Sequence, residues 1–83
     1  MPTTEVDDRI KQVLAAHLDV DAARLCPETR LGEDLCVDSL TAVELMMVLE
    51  DEFDIALPEE RVGDLRTYGD LVTVVADQVA TGA

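Results

Sequence analysis

Residues 33–58 read EDLCVDSLTAVELMMVLEDEFDIALP, and this stretch decides how the chain folds. Asp38-Ser39-Leu40 opens a helix. Asp38 or Ser39 can act as its N-cap, where a side-chain oxygen accepts from a backbone N–H of the first turn. Apolar residues then recur at helical spacing as far as Phe53, so the helix is expected from about Ser39 to Phe53. Set Leu40 at zero and advance about 100° per residue. Ala42, Leu45, Met46, Leu49 and Phe53 then fall between about 140° and 240°, one coherent core arc. Leu40, Val43 and Met47 fall on the other side, between about 300° and 360°. Glu44 and Asp51 lie beside this second strip, with Glu50 at its edge. One apolar face is enough to seat a helix on a core. The second is either covered by a loop or left as a docking strip with an acidic rim, the usual anatomy of a transient interface. Met47 suits the latter, because a flexible thioether adapts to several partners.

Toward the N-terminus, Thr4-Glu5-Val6-Asp7-Asp8 starts a first helix, a Thr cap followed by acid in the first turn. Val6, Ile10, Val13, Leu14 and Leu18 give its apolar stripe, and it should end near Leu18. His17 sits there as a surface residue, where a cation suits the helix dipole. Residues 19–37 carry no helical period, which is long for a loop in a small domain and implies a role or short turns of its own. Leu25, Leu31 and Leu35 should pin it to the core. DVDAARLCPETR, at 19–30, has Arg24 where a calcium loop needs Gly and Arg30 where it needs Glu, so it is no calcium site.

Toward the C-terminus, Pro58 can take the first position of a short third helix, with Glu59 and Glu60 in its first turn. Gly63 and Asp64 end that piece. Thr67 caps a fourth helix, with Asp70 in capping-box position. Tyr68, Leu71, Val72, Val75 and Val79 make its buried stripe. The expected fold is all-α: a small four-helix bundle of three main helices and a short third one, with a long loop between helices one and two. A single domain is expected over 1–83, ordered over about 4–80, with 1–4 and 81–83 loose.

The chain has 19 acidic and six basic residues and a formal net charge of −13. That argues against nucleic acid, whose ligands use Lys and Arg to displace counterions, and against an anionic membrane surface. It points to basic patches on partner proteins. Phe53 and Tyr68 are the only aromatics, so aliphatic side chains must build the core. No signal peptide or membrane-length apolar run is evident, and a cytoplasmic monomer is expected. In that reducing setting Cys26 and Cys36 should be free thiols. His17 and two unsupported cysteines make no metal site. A hydrolase triad of Ser39, His17 and an Asp lacks the G-x-S-x-G elbow, and so small a helical domain has little room for a substrate cleft. The chain is not expected to be an enzyme.

Ser39 has a plain reading as a cap. A helix N-terminus also welcomes an anion, through its free N–H groups and its dipole, so a phosphate ester on Ser39 would be electrostatically comfortable. At this point the sequence resembles a known family. Asp38-Ser39-Leu40, then Val43-Glu44-Leu45, Leu49-Glu50-Asp51-Glu52-Phe53 and Pro58 are similar to the pattern of the acyl carrier proteins over nearly the whole chain. The resemblance implies that Ser39 carries 4′-phosphopantetheine, received from coenzyme A through a phosphopantetheinyl transferase that uses magnesium. It implies that Asp38 supports this modification and that acyl groups ride as thioesters on the arm. It also implies that Leu40, Val43, Glu44 and Met47 meet acyl-loading, condensing and modifying enzymes, with Glu50 and Asp51 completing the rim. Delivery would be to fatty-acid or polyketide enzymes. The alternatives are a peptidyl or aminoacyl carrier and an unmodified acidic adaptor. One departure stands out: the family usually has Gly two residues before the Asp, and here that place is Cys36. Val37 is also bulkier than usual. Gly tolerates backbone angles that Cys does not, so the approach to Ser39 is expected to be shaped differently.

Overall fold

A computed structural model describes residues 3–57 and 59–81. Three α-helices carry the fold: α1 (Thr3–Leu18), α2 (Ser39–Phe53) and α3 (Tyr68–Thr81). Two 3-10 segments, Ala22–Arg24 and Glu59–Asp64, lie in the connections. The helical bundle is as expected, its short third helix being the 3-10 segment Glu59–Asp64 and its fourth helix being α3. Among the described residues there is no strand, only a single antiparallel bridge between Arg30 and Thr67. Helix α1 begins one residue before Thr4, so Thr4 is helical and not the cap. The expectation of loose ends is corrected for Thr3, Thr4 and Thr81, which continue their helices. Pro58 and the remaining terminal positions lie outside the described residues.

The helices stop and start for local reasons. Asp38 caps α2 from an extended backbone, its Oδ1 accepting from the N–H of Thr41 at 2.8 Å. Asp54 closes α2 in the left-handed conformation at φ 54°, and Asp19 follows α1 in the same region. The capping box at α3 forms as expected. Thr67 Oγ1 accepts from the N–H of Asp70, and Asp70 Oδ2 accepts from the N–H of Thr67, both at 3.2 Å. The backbone N–H of Thr67, and after it that of Arg66, hold the Asp70 carboxylate below its ordinary pKa.

The core is aliphatic. Val6, Ile10 and Leu14 of α1 meet Leu45, Met46 and Leu49 of α2 and Leu71, Val74 and Val75 of α3. Leu25 and Leu31 of the long loop are buried and Leu35 is half-buried, so all three do anchor it. Tyr68 is buried too, and its hydroxyl donates to Asp7, to the carboxylate at 2.6 Å and to the backbone carbonyl at 3.0 Å. Burial and the neighbouring carboxylate push this phenol far up, so it remains a neutral donor tying α3 to α1. Two residues further along α1, Arg9 donates to the Glu52 carboxylate at 2.9 Å and lies over the Phe53 ring.

The two faces of α2 separate as the angular count requires. Leu45, Met46 and Leu49 are buried, while Leu40, Val43 and Met47 are 68, 42 and 60% exposed. The long loop therefore does not cover the second face. Leu45→Ala is expected to destabilise by about 2–5 kcal/mol in urea unfolding, as core truncations do. Met47→Ala should stay within about 0.5 kcal/mol of the parent, as exposed substitutions usually do. A larger loss from Met47→Ala than from Leu45→Ala would invert this assignment.

Candidate functional site

The N-terminus of α2 is built by residues 30–42. Arg30 and Asp34 close a tight turn: Asp34 Oδ2 accepts from the N–H of Arg30 at 2.8 Å, and the Arg30 carbonyl accepts from Asp34 at 2.9 Å. The N–H of Val37 then returns to the Leu31 carbonyl at 2.9 Å. To make this return, Cys36 adopts φ 58°, the left-handed region that L side chains avoid. A cysteine thus occupies a conformation that glycine would hold without strain.

After this turn the chain delivers Asp38 as the cap. Its carboxylate takes the N–H of Thr41 and its carbonyl takes that of Ala42. Hydrogen bonds from Thr41 lower the Asp38 pKa, with the N–H of Leu40 a minor contributor to the same field. Asp38 is the cap, which leaves the Ser39 side chain unneeded for capping. Ser39 is exposed, and among the described residues neither its hydroxyl nor its N–H has a hydrogen-bond partner. The start of α3 is different. There Tyr68 and Gly69 donate to the carbonyls of Thr29 and Pro27, and Asp70 and Leu71 donate to Thr67. The first-turn donors of α3 are consumed by the fold, whereas α2 keeps an open donor beside an exposed hydroxyl.

Beside Ser39 lies a groove of about 740 Å³ between α2, the long loop and the segment leading into α3. Leu31, Leu45, Met46 and Leu71 form part of its wall, and Arg30 and Arg66 also line it. The sequence reading missed this groove, because its wall combines residues from segments far apart along the chain. The available signal was the scarcity of basic residues, two of which line it.

The other candidate residues distribute around the exposed face. Leu40, Val43 and Met47 present their side chains to solvent, as do Glu44 and Asp51. Glu50 is different: it is half-buried, and its Oε2 accepts from the N–H of Leu57 at 3.1 Å. It ties the segment after α2 back to the helix. Cys26 and Cys36 are exposed free thiols. Among the described residues no group of His, Cys, Asp and Glu forms a metal cluster, and no helix is long and apolar enough to cross a membrane.

A protein-family model described as the phosphopantetheine attachment site matches residues 8–75. An acyl carrier protein of Picosynechococcus sp. is 42% identical over 79 residues, which is 95% of either chain. The chain belongs to the acyl carrier protein family. Another acyl carrier protein, from Thermosynechococcus vestitus, is 38% identical over 80 residues, covering 96% of this chain and 99% of the relative. Among solved structures, an acyl carrier protein of Thermotoga maritima superposes with a TM-score of 0.83 at 21% identity, covering 98% of this chain and 94% of that one. The acyl carrier protein of Enterococcus faecalis gives 0.79 at 26% identity, covering 94% and 99%. Membership makes this acyl carrier protein a carrier rather than an enzyme. Its cofactor is covalently attached 4′-phosphopantetheine, and it works with biosynthetic enzymes. An exposed hydroxyl beside an open N–H at a helix N-terminus fits the phosphate of that group.

Two measurements test this end of α2. The folded pKa of Asp38 is depressed, so its stabilising share is complete above the ordinary value of 3.8 and is lost as pH falls through the lowered value. Asn caps nearly as well but does not titrate. Wild type should therefore exceed Asp38→Asn in melting temperature at pH 7, and the gap should close in acid. A gap independent of pH would mean that the charge contributes nothing. Cys36→Gly removes strain of about 1–2 kcal/mol and adds about 0.4–1 kcal/mol of unfolded-chain entropy. A net gain of about 0–1.6 kcal/mol is expected in urea unfolding.

Proposed function

We propose that Ser39 is the residue that carries the phosphopantetheine arm, and that the exposed face of α2 is where partner enzymes dock. The observation that carries this reading is the exposed, unengaged Ser39 hydroxyl at the start of a 15-residue helix already capped by Asp38. The Ser39 Oγ would form the phosphodiester link, with the dipole of α2 and the open N–H of Ser39 favouring the phosphate. Asp38 is exposed, so the magnesium of a phosphopantetheinyl transferase can approach its carboxylate. When bound, the arm supplies a terminal thiol that holds acyl groups as thioesters. Neither Cys26 nor Cys36 is needed for carrying.

Leu40, Val43 and Met47 offer apolar contact, and Glu44 and Asp51 offer charge that steers basic patches and fixes register. Glu50 supports the same end of the helix through its bond to Leu57. The partners on this reading are the transferase and the acyl-loading, condensing and modifying enzymes of a fatty-acid or polyketide pathway. The carrier acts as a cytoplasmic monomer in a single domain. Incubation of the apo protein with coenzyme A, magnesium and a broad transferase should add one pantetheine mass, seen by intact mass spectrometry. Ser39→Ala should add none while keeping its helical circular dichroism. A pantetheine adduct on Ser39→Ala would overturn the assignment, and a wild type that never gains mass would leave only the unmodified adaptor.

A further inference from the structure

Two neighbouring acids precede Ser39, and their carboxylates are used differently. Glu33 and Asp34 are both exposed on the turn that leads to α2. Glu33 reaches only the Arg30 guanidinium, at 2.6 Å, a surface pair of the kind that contributes little to stability. Asp34 reaches back to the chain itself: its Oδ2 accepts from the N–H of Arg30 at 2.8 Å. Among the described residues this is the one hydrogen bond between a side chain and the backbone within residues 30–37. The other bonds of the turn are main-chain ones, from Asp34 and Leu35 to the Arg30 carbonyl and from Val37 to that of Leu31.

The turn stands between a fixed point and the serine. Its near end is tied by the N–H of Leu31 to the Arg66 carbonyl at 2.9 Å and by the bridge between Arg30 and Thr67. Its far end runs into Asp38, the cap of α2, with Ser39 next. Between them Cys36 holds φ 58°, a conformation that costs free energy for an L residue. Such a turn keeps its course only while its hydrogen bonds outweigh that cost. A carboxylate on a backbone N–H makes one of the stronger bonds available. Asp34 could also be counted as one more acid for basic partners, but the two roles separate in kinetics. Docking charge acts on encounter and affinity. Geometry acts on the rate once the partner is docked, where a misplacement of about 1 Å can cost about a hundredfold.

We infer that Asp34 is a positioning residue for the modification of Ser39: its bond to the Arg30 N–H holds the turn that sets where the hydroxyl stands against a docked transferase. In that reaction the Ser39 Oγ bonds to the phosphorus bearing pantetheine in coenzyme A, as the bond from that phosphorus to 3′,5′-ADP breaks and the hydroxyl proton is released. The inference rests on Ser39 being the attachment residue. It is tested on the full apo protein in single turnovers, with transferase in excess at several concentrations and coenzyme A and magnesium held fixed. Intact mass follows the adduct and gives a maximal rate and a half-saturating transferase concentration. Three variants divide geometry from charge. Asp34→Asn keeps an acceptor oxygen at the same reach and loses the charge. Asp34→Glu keeps the charge and moves the oxygen by one methylene. Asp34→Ala loses both. Asp34→Ala should lower the maximal rate about fivefold or more, with half-saturation within about twofold of wild type. Asp34→Glu should fall with it, and Asp34→Asn should keep more than about half of the wild-type rate. Amide hydrogen exchange at Arg30 gives a readout independent of turnover: protection should persist in Asp34→Asn and drop in Asp34→Ala. Asp34 is exposed, so helical circular dichroism should survive in all three, and the Asn and Glu pair decides the matter even if Asp34→Ala loses structure. Rates that follow charge, with Asp34→Asn slow and Asp34→Glu like wild type, would overturn the inference alone. So would an effect confined to half-saturation, or wild-type maximal rates in both Asp34→Ala and Asp34→Glu. A wild type that gains no mass would overturn attachment at Ser39 and take the inference with it.

Discussion

Three backbone hydrogen bonds hold the long loop to the start of α3: Leu31 to Arg66, Tyr68 to Thr29 and Gly69 to Pro27. Most of what matters in this molecule depends on that seam. It gives the loop a fixed course without a sheet, and it satisfies donors that the first turn of α3 would otherwise leave open. It also favours Gly69, because a Cβ there would lie 3.0 Å from the Pro27 carbonyl oxygen and 3.3 Å from its Cβ, close enough to press on the seam. With residues 27–31 fastened, the turn that follows can carry the chain through Cys36 to Asp38 at a defined position.

The two helix starts therefore have opposite uses. At α3 the neighbouring chain and the capping box consume the donors, so the terminus is a joint. At α2 a single carboxylate does the capping, and Ser39 is left exposed beside an open N–H. The division needs both Asp38 and the seam: the carboxylate frees the serine, and the fastened loop sets where the serine stands. Tyr68 links this arrangement to α1, since its buried hydroxyl reaches Asp7 from the first residue of α3.

Much of this was legible from local chemistry. Asp38 and the capping pair Thr67 and Asp70 mark helix starts because the interactions span only a few residues. The angular count separated Leu45 from Met47 because helical geometry is regular. The apolar stripe of α3 was drawn too narrowly. Val74 lies off its centre line yet is buried, which periodicity on one helix does not reveal when neighbours wrap around it. Leu57 was missed because it belongs to no periodic segment; Glu50 holds the backbone there while its side chain joins the core. The groove was invisible for a stronger reason: Leu31, Met46 and Leu71 come from three separate segments, and only the tertiary fold makes them one surface. At Cys36 the sequence showed a departure, but not whether backbone or side chain would yield. There the backbone takes a φ of 58°, in the left-handed region.

The double-faced construction of α2 has a consequence for how such a carrier can change over generations. Most substitutions are filtered by stability, since a domain stands only a few kcal/mol above unfolding. Leu40, Val43 and Met47 are largely outside that filter, because their side chains contribute little to the packed interior. Leu45, Met46 and Leu49, only one or two positions away, are fully inside it. Partner preference can therefore drift along one side of a single helix while the other side stays fixed, and new associations can be tried without first acquiring compensating changes in the core.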